Sequence, residues 1–364
     1  MDKVIINKAA EVIKAGGLVV FPSDTVYILA VDPTNKSAVE KLLGFKNRWT
    51  GKAISVAVED IKMARDYVNL SPNAESIYAN LLPGPFTVVS EGKHKVAAGI
   101  EAENGTLGIR IPQNKEIHDL VEILGKPITA TSANLSGRTP HYSVESLLKT
   151  LSKKKREMID LMVDGGKLPR NKPSTVIDAT EPEIKILRRG DLIIKNSQFL
   201  ISKSEKETEK IAEFLLRKVE TLHATSLRDK PLVFGLSGDL GCGKTVFSRA
   251  VGKYLGIKEK ITSPTFVVYN EYQIPLGSAV SPFEKREKAK TRKFLHFDLY
   301  RITGQYEFKE LDFFNLFTKD CIACIEWPEN MGKENLEKLK KIVDYKAINF
   351  KYVDSKTREI RYQK

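Results

Sequence analysis

A glycine-rich segment in the second half of the chain constrains the fold more than any other feature. Residues 238–245 read Gly-Asp-Leu-Gly-Cys-Gly-Lys-Thr, a complete G-x-x-x-x-G-K-[ST] phosphate loop. A strand-like apolar run precedes it and a helix-like segment follows, which is the context such a loop requires. Its glycines let backbone N–H groups point at phosphates, the lysine neutralises them, and the threonine offers a hydroxyl to Mg²⁺. The sequence therefore predicts an ATP-type site at Gly238, Gly241, Gly243, Lys244 and Thr245.

The length of the chain requires a second domain beside the one that carries this loop. The loop begins only at residue 238 of 364, and domains typically hold about 100 to 200 residues. An S-x-x-E sequence at 204–207, of the kind that caps a helix, marks a new start in the chain. We predict two domains, residues 1–195 and 196–364, with residues 195–203 as a short connector.

Composition narrows the class of protein. No apolar run approaches the roughly 20 residues of a membrane span, and the first residues lead into an amphipathic helix pattern rather than a signal peptide. Three cysteines in so long a chain do not make a disulfide framework. We therefore expect a cytoplasmic protein with no membrane partner.

Short apolar runs alternate with helical patterns through both halves. In the first half the helical patterns include 8–14 and 37–43, and the strand-like runs lie at 17–21, 53–58, 86–90, 107–111, 128–131, 158–163 and 174–178. Such alternation is typical of α/β domains. We expect a twisted mixed sheet with helices in the first domain. In the second we expect a small, mainly parallel sheet with the nucleotide at its carboxyl edge.

The net charge of +13 raises the question of a polyanionic partner. Residues 274–293 form a predicted insertion that breaks the alternation, and its last ten residues include six basic and two acidic side chains. Such a run is most often a solvated loop, and an RNA contact is the other interpretation. Composition leaves both open.

Several clusters in the first half combine cations, hydroxyls and turn-forming residues, which suits anion binding in loops. Taken singly, each is better explained by a solvated lysine or a hydroxyl that satisfies a turn. The first half shows no defensible Ser/His/Asp arrangement and no metal-ligand spacing. The clusters are Ser23–Tyr27, Lys46–Arg48 with Lys52, Gly84–Thr87, Thr106–Arg110, Thr131–Gly137, Ser174–Thr175 and Arg188–Arg189.

Taken in order, these clusters match the signature of a known family. Lys46-Asn47-Arg48 corresponds to its K-x-R motif and Ser132-Ala133-Asn134 to its S-x-N motif. Residues 1 to about 195 thus resemble the threonylcarbamoyl-AMP synthases of the YrdC/TsaC family. The resemblance implies a twisted mixed sheet with a large, positively charged cavity. It also implies a reaction that joins L-threonine, bicarbonate and ATP into threonylcarbamoyl-AMP and releases pyrophosphate.

The resemblance implies roles for individual residues around ATP. Lys46, Arg48 and Lys52 are the expected catalytic residues. Adenylyl transfer to a carbamate needs aligned reactants and neutralised phosphates more than it needs a covalent nucleophile. The residues expected to hold ATP are these three together with Ser132, Asn134 and Arg188, with Thr106 near the nucleotide.

The threonine site follows from the same resemblance. Thr25, Arg110 and Ser174 are expected to hold the amino acid, and the Arg110 guanidinium suits its carboxylate. The chain departs from the family pattern beside the proposed substrate loops, at Ile28, Trp49 and Ala53. These departures bear on the shape of the loops.

A second resemblance covers residues 198–364. Segments at 204–208, 238–245, 263–266, 296–301 and 325–329 match, in order, the motifs of TsaE, the small P-loop ATPase of the bacterial pathway for threonylcarbamoyladenosine in tRNA. Asp298 and Glu326 each end a strand-like run, where a carboxylate can meet Mg²⁺ or orient water. With Lys244 they are the expected catalytic residues, and with Thr245 the expected metal ligands.

Two further residues take roles from this resemblance alone. Thr265 belongs to the segment that senses the state of the nucleotide. Trp327 lies near the nucleotide or faces a partner. The expected cofactors of the whole chain are ATP and Mg²⁺.

The two resemblances together imply a bifunctional protein of tRNA threonylcarbamoyladenosine biosynthesis. Its expected partners are a transferase complex of the TsaD/TsaB type and tRNA, bound directly or through that complex. One alternative is a double-stranded RNA-binding or assembly module fused to a regulatory ATPase. Another is a small-molecule kinase in the second half, although no acceptor motif or arginine-bearing lid follows the phosphate loop.

Overall fold

The architecture was read from a computed structural model that describes residues 2–47, 53–195, 199–223, 230–264, 268–275, 292–302, 308 and 312–363. The chain divides into two compact units, Met1–Ile193 and Ile194–Lys364. Within the described ranges, no helix is both long enough and apolar enough to cross a membrane.

The first unit alternates helices and short strands. Its helices are α1 (Lys3–Lys14), α2 (Lys36–Lys46), α3 (Ile61–Tyr67), α4 (Pro72–Leu81), α5 (Lys115–Leu124), α6 (Val144–Thr150) and α7 (Lys153–Glu157). Its strands are β1 (Val19–Phe21), β2 (Ile28–Ala30), β3 (Val56–Ala57), β4 (Val68–Asn69), β5 (Phe86–Gly92), β6 (Thr106–Arg110), β7 (Ile128–Thr129), β8 (Thr131–Ser132), β9 (Leu161–Met162), β10 (Thr175–Asp178) and β11 (Lys185–Arg188).

These strands form two sheets that meet in residues 128–132. One sheet has the order β8-β2-β1-β9, and the other has the order β11-β10-β5-β6-β3-β7 with β4 beside β5. Strand β7 pairs with β3 in the larger sheet, and β8 pairs with β2 in the smaller one. Both sheets contain parallel and antiparallel pairs, so the predicted mixed α/β architecture is confirmed.

Helix α1 illustrates how local sequence builds the core of this unit. Asp2 caps the helix by accepting the backbone N–H of Val4. Ile6, Ala10 and Ile13 then recur at helical spacing and are buried against β1 and α5. The helix begins five residues before the pattern at 8–14 predicts, because the acidic cap precedes the first apolar residue.

The second unit is built around one large sheet. Its helices are α8 (Glu205–His223), α9 (Lys244–Tyr254) and α10 (Gly332–Ile342), with short 3₁₀ helices at Phe313–Leu316 and Pro328–Met331. Its strands are β12 (Ile193–Ile194), which straddles the division between the units, β13 (Phe199–Ser202), β14 (Leu232–Ser237), β15 (Tyr269–Gln273), β16 (Lys293–Asp298), β17 (Cys321–Glu326), β18 (Asp344–Tyr352) and β19 (Arg358–Gln363).

The centre of this sheet is parallel, as predicted. The strand order is β12-β13-β19-β18-β14-β17-β16-β15, and β16, β17, β14 and β18 are parallel to one another. The register pairs Asp298 with Glu326 and Glu326 with Leu236. Because the carboxyl ends of parallel strands meet at one edge, the ends of β16 and β17 lie beside the start of the phosphate loop.

The predicted connector at 195–203 is wrong in part, because Phe199–Ser202 form β13, which pairs with β19 at the end of the chain. The strand has only four residues, which alternate in burial, and so short a run does not predict a strand. The capping sequence that follows it behaves as predicted. Ser204 accepts the N–H of Glu207, and the Glu207 carboxylate accepts the N–H of Lys203.

One glycine of the central strand makes a testable contact. A Cβ atom at Gly235 in β14 would overlap the hydroxyl and ring of Tyr345 on the neighbouring strand. Gly235→Ala should therefore lower the free energy of unfolding by about 2 kcal/mol, as overpacked cores do. The measurement is the urea concentration at which the β14 amide protons lose protection from hydrogen exchange.

Tyr345→Val supplies the control, because it removes the obstacle. In the Tyr345→Val chain, Gly235→Ala should lower the free energy of unfolding by about 1 kcal/mol less than it does in the wild type. An equal effect in both backgrounds would contradict the steric explanation.

Candidate functional sites

The first candidate site begins at the end of helix α2, where Lys46 is buried. Its ammonium donates to the carbonyl oxygens of Ser132 (2.7 Å) and Asn134 (3.0 Å), and to Asn134 Oδ1 (3.2 Å). The next residue, Asn47, has a left-handed backbone (φ 49°) that ends the helix. The K-x-R and S-x-N segments, far apart in sequence, are thus joined through one buried lysine.

The Ser132–Asn134 turn is ordered by its own side chains. Ser132 Oγ donates to Asn134 Oδ1 at 2.6 Å, and the Asn134 amide nitrogen donates to the Arg138 carbonyl. Ser132 pairs with Ile28 in the sheet, and the N–H of Ala133 donates to the carbonyl of Tyr27. The turn therefore lies against the segment that leads into β2, the Ser23–Tyr27 cluster.

A buried ion pair connects this cluster to β6. Arg110 Nη2 donates to Asp24 Oδ1 at 2.8 Å, and the two side chains are only 4% and 9% exposed. Asp24 Oδ2 and Arg110 Nε are buried without a hydrogen-bond partner among the described residues. Since buried polar atoms are normally paired, these two atoms can receive a polar ligand. Thr25, the next residue, is also buried, with its hydroxyl 3.3 Å from Ser23 Oγ.

A second arginine lies beside Arg110. The Arg188 guanidinium donates to the carbonyl oxygen and to the hydroxyl of Ser174, both at 3.0 Å, and Ser174 Oγ is 2.7 Å from Thr87 Oγ1. Desolvation lowers the pKa of Arg188, and the charge of Arg110 lowers it further. The Asp24 carboxylate neutralises only one of these two guanidinium groups, so the three side chains together keep one positive charge. The arrangement therefore suits a carboxylate or a phosphate.

Not every predicted residue joins this group. Thr106 begins β6 and Arg110 ends it, so the two lie about 13 Å apart along the strand. The Thr106 hydroxyl donates to the side chain of Asn104. Arg48, Trp49 and Lys52 lie outside the described residues.

Four further residues of this unit had no predicted role in the site. Two depart from the family pattern, and two lie in its sequence clusters. Ile28 is buried in β2, and Ala53 is partly buried. Asp24 and Thr87 lie within the sequence clusters, but no role was predicted for them. Their only sequence signal was that proximity.

The second candidate site is the phosphate loop between β14 and α9. Gly238, Gly241 and Gly243 have φ angles of 137°, 75° and 107°, which side chains with a Cβ rarely adopt. The Lys244 ammonium donates to the carbonyl oxygens of Gly238 (2.6 Å) and Asp239 (2.8 Å). It also lies 3.7 Å from the centroid of the Trp327 ring, a cation–π contact. The glycines therefore let the loop curl between β14 and α9, and its carbonyl oxygens hold the Lys244 ammonium.

Glu326 links this loop to the sheet edge. The Thr245 hydroxyl donates to Glu326 Oε2 at 3.1 Å, and His296 Nε2 lies 2.7 Å from Glu326 Oε1. His296 Nδ1 lies 3.1 Å from the carbonyl oxygen of Thr262. The fully buried imidazole thereby fixes the orientation of the carboxylate. No role for His296 was predicted, although the motif at 296–301 begins with it.

Asp298 occupies the equivalent position on the next strand. Its Oδ2 accepts the Ser263 hydroxyl at 2.5 Å, and its Oδ1 accepts the N–H of Tyr300 at 3.1 Å. A threonine hydroxyl and two carboxylates are hard oxygen donors of the kind Mg²⁺ prefers, so Thr245, Glu326 and Asp298 fit that ion. Thr265 lies outside the described residues, as does most of the insertion, 276–291.

One cation near the loop carries no sequence signal. A Cβ at Gly243 would lie 3.9 Å from Cδ and Nε of Arg358 and 3.8 Å from Cγ2 of Thr208. Arg358 Nε is buried without a hydrogen-bond partner among the described residues. Strand β19 therefore adds a positive charge to the loop from the far end of the chain, which a lone arginine in sequence cannot reveal.

Comparison with known proteins matches each half of the chain to a family model. Residues 11–190 match the model of the Sua5, YciO and YrdC proteins, which is described as "Telomere recombination". Residues 202–360 match the model described as "Threonylcarbamoyl adenosine biosynthesis protein TsaE". This pair of domains points to biosynthesis of threonylcarbamoyladenosine in tRNA.

Solved structures give the fold. Sua5 of P. abyssi in complex with L-threonine is 20% identical, with a TM-score of 0.50 over 96% of this chain and 97% of that one. YciO of E. coli is 28% identical, with a TM-score of 0.48 over 52% of this chain and 90% of that one. MTH1692 of Methanobacterium thermoautotrophicum is 34% identical, with a TM-score of 0.42 over 50% of this chain and 85% of that one. The P. abyssi match identifies a Sua5-like fold.

The buried ion pair of the first site predicts a loss of stability. Asp24→Asn leaves the Arg110 charge without its carboxylate, so the free energy of unfolding should fall by about 3 kcal/mol or more. The double variant with Arg110→Gln should lose less than the two single losses added together. The measurement is urea unfolding monitored through the amide protons of β6.

Glu145→Gln is the matched control, because it breaks an exposed ion pair with Lys149 in the same unit. It should leave the unfolding transition where it is. If Asp24→Asn behaved like this control, the Asp24–Arg110 pair would be solvated rather than buried.

Proposed function

The chain belongs to the Sua5/YciO/YrdC family over residues 11–190 and to the TsaE family over residues 202–360, and we propose that it is a bifunctional enzyme of tRNA modification. Its first unit forms threonylcarbamoyl-AMP and pyrophosphate from L-threonine, bicarbonate and ATP. Its second unit hydrolyses ATP to support transfer of the threonylcarbamoyl group to the adenosine 3′ of the anticodon. The observation that carries the proposal is the presence of two separate polar sites of different construction, each within its own unit.

The first site has the properties that the synthase reaction needs. Threonine and bicarbonate condense to a carbamate with loss of water, a carbamate oxygen attacks the α-phosphorus of ATP, and pyrophosphate leaves. No protein nucleophile takes part, so positioning and charge neutralisation carry the catalysis. A chain of hydroxyls and guanidinium groups without a Ser/His/Asp arrangement agrees with that requirement.

The contacts of this site support separate places for the two substrates. Arg110, with Ser174 and Thr25 in the same cluster, offers a cation and hydroxyls for the threonine carboxylate. Arg188, which we expect at ATP, donates to Ser174 and so would lie between the two substrates. A Sua5 protein of the same fold has been solved with L-threonine. ATP would lie toward Lys46.

The Lys46 ammonium is engaged by three oxygens. A phosphate contact therefore requires it to exchange one of them. Arg48 and Lys52, which follow in the sequence, would neutralise the remaining phosphate charge. Ser132 and Asn134 would contribute hydroxyl and amide groups to the same nucleotide.

The second site supports ATP hydrolysis. Gly238 to Thr245 would bind the phosphates, and Lys244 would exchange its two carbonyl contacts for β- and γ-phosphate oxygens. Thr245, Glu326 and Asp298 would hold Mg²⁺, which supplies charge neutralisation at the phosphates. His296 keeps the Glu326 carboxylate oriented through a hydrogen bond of 2.7 Å. Trp327, which covers Lys244, would respond when the lysine changes partners.

The transfer step needs partners. We expect a transferase complex of the TsaD/TsaB type to receive the adenylate and to act on tRNA. The fusion would keep the ATPase at a high local concentration wherever the synthase docks.

A product assay on the full chain tests the proposal. Pyrophosphate release should require threonine and bicarbonate together, and the nucleotide product should be threonylcarbamoyl-AMP by mass spectrometry. Pyrophosphate release without these two substrates, or none with them, would contradict the synthase activity. Tight binding of double-stranded RNA in its place would favour an RNA-binding module, and phosphate transferred to an added metabolite would favour a kinase.

Lys244→Ala separates the two activities. The variant loses the phosphate-binding cation of the second site, so release of inorganic phosphate should fall by about 100-fold or more. Pyrophosphate release by the first unit should stay within about twofold of the wild type, because its phosphate contacts come from other residues. Both products are measured in one reaction by phosphorus-labelled ATP.

Lys253→Ala is the matched control for this substitution. It removes an exposed lysine of the same helix, α9, whose ammonium pairs with the exposed Glu209. Neither product should change in that variant. Parallel loss of pyrophosphate and phosphate in Lys244→Ala would contradict independent sites.

A further inference from the structure

The segment 153–160 packs along helix α2 through three contacts. The Lys155 ammonium reaches the last turn of the helix, and Met158 Cε would lie 3.6 Å from a Cβ placed on Gly44. Asp160 pairs with Lys41 at 2.5 Å and also accepts the N–H of Leu18. The segment therefore fixes α2 to β1 on one side and contacts its C-terminal end on the other.

The Lys155 ammonium donates hydrogen bonds to the C-terminal end of α2. It donates to the carbonyl oxygens of Gly44 (2.6 Å) and Phe45 (2.8 Å) and to Asn47 Oδ1 (2.7 Å). Carbonyl oxygens in the last turn of a helix lack the usual partner four residues on and carry partial negative charge, and here the N–H of Asn47 reaches Gly44 from the chain that follows. A lysine from a distant segment is a strong cap for them. Burial lowers the pKa of Lys155, with the charge of Lys154 as the second cause, which agrees with an ammonium partly removed from water.

The capped carbonyl oxygens belong to the two residues immediately before the K-x-R motif. Lys46 is the residue between the two capped carbonyls and Asn47, and its own ammonium binds Ser132 and Asn134 instead. Asn47 has a left-handed backbone at the turn that leads directly to Arg48. Two ammonium groups therefore hold the segment 44–47. Lys155 binds carbonyl oxygens of the segment, and Lys46, which belongs to the segment, binds the Ser132–Asn134 turn.

From these contacts we infer that Lys155 is a positioning residue for the adenylyl-transfer site, which holds Lys46 and Asn47 in place at the end of helix α2. The inference rests on the proposed synthase function. Lys155 contacts the end of a helix rather than a substrate, so it acts through Lys46 and Asn47. Misplacement of phosphate-binding groups by about 1 Å is enough to lower a rate strongly.

The test compares Lys155→Met with Lys154→Met in the full chain. Both remove one charge from α7, but only Lys155 has contacts with α2 among the described residues. In Lys155→Met the KM for ATP in pyrophosphate release should rise by about tenfold while the KM for threonine stays within about twofold, because only the nucleotide side loses its support. Lys154→Met should match the wild type, and phosphate release by the second unit serves as the internal reference in both.

A second substitution tests the route. Asn47→Gly permits the same left-handed backbone and removes the side chain whose oxygen Lys155 binds. It should raise the KM for ATP less than Lys155→Met does. In the double variant, Lys155→Met with Asn47→Gly, the KM should be close to that of Lys155→Met alone. Equal KM values for ATP in Lys155→Met and Lys154→Met would overturn the inference. So would a parallel rise in the KM for both substrates together with a lower melting temperature, which would indicate a general loss of stability.

Hydrogen exchange separates failure of the inference from failure of the proposed function. If the wild type released no threonine-dependent pyrophosphate, the synthase proposal would fall. Hydrogen exchange of the full chain would still measure the strength of the cap, through the amide protons of residues 41–47. They should exchange about tenfold faster in Lys155→Met than in Lys154→Met, and equal exchange would overturn the positioning role whatever the reaction.

Discussion

The requirement that a buried ammonium find oxygen acceptors shapes both candidate sites. Lys46 and Lys244 are 2% and 4% exposed, and each donates to two backbone carbonyl oxygens of a loop. Removing such a charge from water is unfavourable unless hydrogen bonds replace the lost solvent. The loops therefore fold back over their lysines. In the proposed function, an incoming phosphate would compete with these carbonyl oxygens for each ammonium.

Strand register makes the second site possible. Parallel pairing of β14, β17 and β16 brings Glu326 and Asp298 to the edge where the phosphate loop begins. One residue of slip would turn each carboxylate to the opposite face of the sheet. Packing that is specific to this register, such as the Tyr345 ring against Gly235 of the neighbouring strand, disfavours that slip. Packing in the core thus determines the chemistry at the edge.

The sequence predicted the features that are local or periodic. The phosphate loop, the capping sequence at 204–207 and the strand ends at Asp298 and Glu326 follow from short motifs with fixed geometry. The mixed and parallel sheets follow from alternation of strand and helix patterns. Local patterns could not predict contacts between distant residues, and the grouping of Lys46 with Ser132 and Asn134 came from the family resemblance alone. Asp24 and Arg110 lie 86 residues apart, and Lys155 and Gly44 lie 111 apart, so no local pattern couples them. Strand β13 was missed because its partner, β19, is at the opposite end of the unit.

The contact between Trp327 and Lys244 has an optical consequence. The chain contains two tryptophans, and the indole of Trp327 lies against Lys244, the cation that would change partners in the proposed phosphate site. Movement of a charge at 3.7 Å alters the electric field on the indole and therefore its emission. In a chain with Trp49 replaced by phenylalanine, intrinsic fluorescence would then follow the nucleotide cycle of the second unit in real time, without an attached dye.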